Sequence, residues 1–117
     1  MIEPSEIDVG PAQRDGDRLL LKVTGEIDHS TATALHDRVL GSVEPDVRHL
    51  VLDFSAVTFC DSSGMSALLG IWRRLHGQSG GVSIAAAPAN VVRALRMGGL
   101  DEHLPTHPDV TEALRTP

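Results

Sequence analysis

The stretch Asp53-Phe54-Ser55-Ala56-Val57-Thr58-Phe59-Cys60-Asp61-Ser62-Ser63-Gly64-Met65 decides the fold. It begins inside a short apolar run, His49 to Phe54, whose length and turn-rich flanks predict a strand covered on its faces. It ends on Asp61 and Ser62, helix-start residues that precede Met65, Leu68, Leu69, Trp72 and Leu75. Those five recur at helical spacing and predict a buried stripe, while Arg73 and Arg74 near the end of the helix complement its dipole. Gly77 to Gly81 is the breaker. Two hydroxyls and a carboxylate therefore sit in the turn between a strand and an amphipathic helix, the edge at which open α/β sheets meet ligands and partners.

The pattern continues on both sides. Upstream, Met1 to Gly10 alternates loosely at Ile7 and Val9 and reads as a short edge strand, followed by Pro11 and a turn at Asp15-Gly16-Asp17. Arg18 to Ile27 is an apolar strand that pairs with it as an antiparallel hairpin. Asp28, Ser30 and Thr31 start a helix through Ala34, Leu35, Arg38, Val39 and Leu40, stopped by Gly41 and Pro45. Downstream come a strand at Gly81 to Ala86, a helix at Asn90 to Met97 ended by Gly98-Gly99, a weak strand near His103 to Thr106, and a short helix from Asp109 to Leu114. Strands alternating with helices after an opening hairpin imply right-handed crossovers and a mixed, mostly parallel sheet of about five strands with about four helices.

Composition narrows the function. At 117 residues, 41% hydrophobic and 22% charged, the chain has the make-up of one soluble globular domain. Its net charge of −6 disfavours nucleic acid and anionic membrane surfaces, which need clustered Lys and Arg. With aromatics at 3%, base-stacking platforms are not expected. The single cysteine, Cys60, closes no intrachain disulfide, nothing near Met1 resembles a signal peptide, and no apolar run approaches the roughly 20 residues that span a bilayer. The expected compartment is the cytoplasm.

Catalytic patterns are missing from the motif. A hydrolase elbow needs Gly on both sides of its serine, and none precedes Ser62 by two positions. The six histidines are scattered singly, and Pro105 between His103 and His107 argues against a metal-binding helical face. Gly25 opens no phosphate-cradling loop, so no cofactor or metal is expected. Asp61 or Ser62 reads as a helix cap, and Cys60 as a small buried apolar residue.

Two segments in register, Thr24-Gly25-Glu26-Ile27-Asp28-His29-Ser30-Thr31-Ala32 and Leu52 to Met65, together with the Val82 to Met97 strand and helix, resemble the anti-sigma factor antagonists, single-domain members of the STAS family. The resemblance covers nearly the whole chain and implies one STAS domain over residues 1–117, with a core of about 5–115 and loose termini. It implies a switch protein and no enzyme. In that family an anti-sigma factor that is also an ATP-dependent serine kinase phosphorylates the first serine of Asp-Ser-Ser-Gly, here Ser62, with Ser63 as second choice. The unphosphorylated form binds the anti-sigma factor and frees the sigma factor, and a serine phosphatase resets the cycle.

A phosphate on Ser62 is expected to meet unsatisfied amides and the positive end of the helix dipole. The expected partner surface combines Asp28, His29, Ser30 and Thr31 with Asp61, Ser62, Ser63, Gly64 and exposed positions of the following helix. Asp28 and Asp61 are candidates for positioning the serine hydroxyl and equally for helix caps. Cys60 stands where the family often has a larger apolar residue. The alternative function is a STAS subunit of a transporter or signalling assembly with no phosphorylation cycle.

Overall fold

The computed structural model describes residues 7–115. The beginning of the expected edge strand, at Met1 to Glu6, and residues 116–117 lie outside them. Five strands form one sheet in sequence order: β1 (Ile7–Asp15), β2 (Arg18–Ile27), β3 (His49–Cys60), β4 (Gly81–Ala85) and β5 (Thr106–His107). β1 and β2 are antiparallel and the remaining pairs parallel. The helices are α1 (Ala32–Ser42), α2 (Ser62–Gly77), α3 (Ala89–Met97) and α4 (Val110–Arg115), with a 3-10 turn at Leu100–Glu102. The mixed, mostly parallel sheet read from the sequence is the one observed.

One face of the sheet builds the main core. Leu19, Leu21 and Val23 of β2, Leu50, Leu52 and Phe54 of β3 and Val82 and Ile84 of β4 meet Leu35 and Val39 of α1, Leu68, Ile71 and Leu75 of α2, and Val91 and Leu95 of α3. Alternate residues point to the other face, where Val51 and Ala85 pack under Ala113 of α4 with Leu20, Val110 and Leu114. That second cover is local. Asp53 is half-buried and Ser55 exposed, so β3 is not covered along its whole length as the apolar run implied.

Other boundaries differ from expectation for physical reasons. β1 continues through Pro11 to Asp15, because the pairing skips register between Val9 and Ala12 and Pro11 owes no ladder bond there. α1 runs past Gly41 to Ser42, whose hydroxyl donates back to the Arg38 carbonyl. β3 extends six residues beyond Phe54, pairing with β2 as far as Ile27 opposite Cys60. β5 begins at Thr106, since the 3-10 turn takes Leu100–Glu102 and His103 and Leu104 close it by donating to the Leu100 carbonyl. α4 begins one residue after Asp109, whose carboxylate accepts from the Glu112 amide at 2.8 Å, the cap read from the sequence.

In α2 the buried residues are Gly64, Ala67, Leu68, Ile71 and Leu75, whereas Met65, Leu69 and Trp72 are half-buried at its flank. The core stripe is rotated from the one set by large side chains, because α2 approaches the ends of β2 and β3 at Gly64, too closely for a side chain there.

Candidate functional site

Parallel pairing of β2 and β3 ends with Ile27 beside Cys60, so the chain leaves both strands at the same edge of the sheet. The Asp61 amide donates to the Ile27 carbonyl at 3.1 Å and ties the two exits together. The Asp28–Thr31 and Asp61–Gly64 segments, separate in sequence, thereby become neighbouring turns opening into α1 and α2.

The second turn is built around Asp61. Its backbone is extended, and its Oδ1 accepts from the Ser63 amide at 2.9 Å and the Gly64 amide at 3.2 Å, an N-cap for α2. Ser62 is therefore the first helical residue, not the cap. Its side chain is exposed, and its hydroxyl has no hydrogen-bond partner among the described residues. Ser63, half-buried, faces a shallow groove between α1 and α2. The cap uses the amides of Ser63 and Gly64, so a group placed on Ser62 meets the helix dipole but not those two donors. Among the described residues the Ser62 amide has no hydrogen-bond partner, so the unsatisfied donor expected at this position is reduced to that one.

Gly64 is fixed by close approach. A Cβ on it would lie 2.5 Å from Ile27 Cγ2 and 2.8 Å from Cys60 Sγ, both inside the core. Cys60 is 5% exposed, and burial, with the Asp61 charge adding to it, pushes its thiol up to about 11. It packs as an inert apolar residue, as its sequence position implied.

The first turn is organised by Asp28 and Thr31. The Asp28 carboxylate accepts from the Ser30 hydroxyl at 2.8 Å and the Ser30 amide at 2.9 Å. The Ser30 hydroxyl foremost holds the Asp28 carboxyl below its ordinary range; desolvation opposes it, and the Ser30 amide and Thr31 add to the lowering. Thr31, 2% exposed, donates its hydroxyl to the Glu26 carbonyl at 2.7 Å and accepts from the Asp28 amide at 2.9 Å. It pins the turn from inside. Of the eight residues assigned to a partner surface, Thr31 and Gly64 are buried and shape the turns, while His29, Ser30 and Ser62 are exposed.

The groove beside the turns holds about 430 Å³ and is lined by His29, Thr33 and His36 from the α1 side and Ser63, Ser66 and Ala67 from α2. Thr33, His36 and Ser66 escaped the sequence reading. Their signal was the pairing of two helices that each follow one of two adjacent strands. Among the described residues no group of three His, Cys, Asp or Glu is placed to hold a metal ion, and no helix is long and apolar enough to cross a membrane.

The RsfB anti-sigma-F factor antagonist of Mycobacterium tuberculosis is 33% identical over 102 residues, 87% of this chain and 82% of its own. An anti-sigma F factor antagonist of Paenibacillus polymyxa is 27% identical over 97 residues, 82% of this chain and 83% of its own. The crystal structure of an anti-sigma factor antagonist from Mycobacterium paratuberculosis matches with a TM-score of 0.78 at 29% identity, covering 98% of this chain and 97% of that one. The STAS domain itself matches residues 11–113, a span that contains both turns, the groove and strands β2 to β5. The chain belongs to the STAS domain family.

Proposed function

We propose that this chain is an anti-sigma factor antagonist whose binding is switched at Ser62. Unphosphorylated, it binds an anti-sigma factor serine kinase through the paired turns and releases the sigma factor. Phosphorylated on Ser62, it lets the kinase go, and a serine phosphatase restores it. The protein is a regulator and carries no catalysis of its own; the catalysis belongs to its partners. The observation that carries the reading is the exposed, unbonded Ser62 hydroxyl at the first position of α2, held in place by the Asp61 cap beside it.

The chemistry suits a switch that leaves the fold intact. A phosphate adds about −1.5 to −2 charges. At the N-terminus of α2 the dipole offsets part of that charge within the domain. Across a partner surface one like charge about 4 Å away, at an effective dielectric near 20, costs about 4 kcal/mol. That is about a thousandfold in affinity.

Incubating the protein with candidate anti-sigma factor kinases and ATP, then mapping phosphate by mass spectrometry, tests the site. Label is expected on Ser62, absent from Ser62→Ala and retained in Ser63→Ala. Label that persists in Ser62→Ala moves the site, and purification from the native cell with a membrane transporter in place of a kinase replaces the reading with a structural one.

A further inference from the structure

Helix α3 has an outer face that the paired turns do not use. It turns Val91 and Leu95 into the core and leaves Ala89, Asn90, Arg93, Arg96 and Met97 exposed. The helix holds no acidic residue, in a chain whose net charge is −6. The guanidiniums of Arg93 and Arg96, three apart on one face, make no hydrogen bond or ion pair among the described residues.

Apolar side chains mark both ends of this basic face. Among the described residues the exposed large hydrophobics are Phe59, at 45%, and Met97, at 81%. Met97 is the last residue of α3, and at the other end Asn90 Nδ2 donates to the Thr58 carbonyl at 3.0 Å, next to Phe59. Nine residues at about 1.5 Å rise each set a helix length of about 13 Å between the two ends. The stripe also adjoins the switch, since Phe59 precedes Ser62 by three residues and Met65, in the first turn of α2, lies against Gly98.

Exposed apolar side chains flanking unpaired guanidiniums are the make-up of a protein-binding patch, in which Arg is enriched and apolar anchors supply the burial. Two arginines on an acidic chain are too few to hold a polyanion by counterion release. We infer that the outer face of α3 is a second part of the partner-binding surface, taking an acidic face of the anti-sigma factor that also presents apolar side chains to Met97 and Phe59. The inference rests on the anti-sigma factor reading above. It adds an attractive contact that stays in place when Ser62 is modified, so that phosphorylation weakens one end of a two-part interface.

Titrating the purified anti-sigma factor into wild type, R93E/R96E, R93Q/R96Q, M97S, F59S and Ser62→Glu tests it, with circular dichroism confirming each fold. R93E/R96E is expected to weaken binding at least about tenfold at low salt, R93Q/R96Q less, with the differences shrinking as salt rises. M97S and F59S are each expected to lose about threefold or more. R93E/R96E and R93Q/R96Q within about twofold of wild type while Ser62→Glu abolishes binding would remove α3 from the interface and leave the switch standing. Wild type that binds no anti-sigma factor overturns both. Capture of wild type, but not R93E/R96E, by phosphatidylserine vesicles would assign the stripe to a membrane and overturn the inference.

Discussion

Replacing Gly64 with Ala places one methyl group between two residues that cannot move aside. The new Cβ would stand 2.5 Å from Ile27 Cγ2 and 2.8 Å from Cys60 Sγ, against the 3.5–4.0 Å of relaxed carbon contacts. Ile27 is fully buried and Cys60 5% exposed, so neither side chain can swing into solvent. Over-packing by one methylene in a tight core costs about 1–3 kcal/mol. The helix preference of Ala over Gly returns at most about 1 kcal/mol. Contacts of 2.5 and 2.8 Å belong at the upper end of the over-packing range, so the net expectation is about 1–2 kcal/mol of destabilisation, a Tm lower by roughly 4–10 °C for a domain of this size. Urea unfolding followed by circular dichroism measures it, with the m-value unchanged if the native packing alone is affected. Gly64→Ala in a Cys60→Ala background should regain part of the loss, with a coupling of at least about 0.5 kcal/mol, because the sulfur is one of the two obstacles. A Gly64→Ala protein as stable as wild type, or more stable, would refute the close approach of α2 to the strand ends.

Removing the cap separates its two properties: Asp61→Ala is expected to cost about 0.5–2 kcal/mol in urea unfolding, whereas Asp61→Asn keeps the acceptor and loses only the charge, at about 0.3–1 kcal/mol. Ser30→Ala should raise the Asp28 titration midpoint seen by NMR, because the Ser30 hydroxyl is the main cause of its depression. The Asp28 carboxyl is lowered in the folded state, so its stabilising effect is present above the unfolded value of about 3.9 and lost as pH falls through the folded one; the wild-type advantage over Ser30→Ala should shrink in acid. Cys60, pushed up to about 11, should resist iodoacetamide at pH 8 in the folded protein and react readily in urea. Its raised value also means that this thiol favours the fold below the unfolded pKa of about 8.5 and loses that effect as pH rises toward 11.

Legibility of the fold followed the regularity of the ladder. The sequence pattern of β2 matches its observed bounds, Arg18–Ile27, because Leu19, Leu21 and Val23 keep a period of two. The far half of β3 carries no such pattern, because its pairing with β2 shifts register between Lys22 and Thr24 and again between Gly25 and Glu26. Those irregularities bury Phe54, Val57 and Cys60 at intervals of three, a spacing that no strand rule recognises. In α2, the weight given to Met65, Leu69 and Trp72 hid the small residues Gly64 and Ala67, whose burial depends on how near the helix comes to Ile27. The Trp72 ring stacked on His76 at 4.7 Å is an i,i+4 neighbour visible in the sequence, but His103 at 4.4 Å on the same ring arrives from a distant turn.

The site was legible as a motif and not as a geometry. Asp61, Ser62 and Gly64 stood out together, yet which of Asp61 and Ser62 caps α2 depended on backbone conformation. Thr31 looked like a surface hydroxyl, and its burial arises only because Glu26 and Asp28 close around it. Arg93, Arg96 and Met97 carry no motif, and their grouping on one exposed face depends on which side of α3 the core takes.

The account turns on a modified Ser62 losing its partner while the domain stays folded. Isothermal titration of one anti-sigma factor with the unphosphorylated protein and with protein quantitatively phosphorylated on Ser62, each checked by circular dichroism, measures both halves at once. The account predicts unchanged spectra and an affinity lower by about a thousandfold. Equal affinity of the two forms, or loss of binding that accompanies loss of fold, would contradict it.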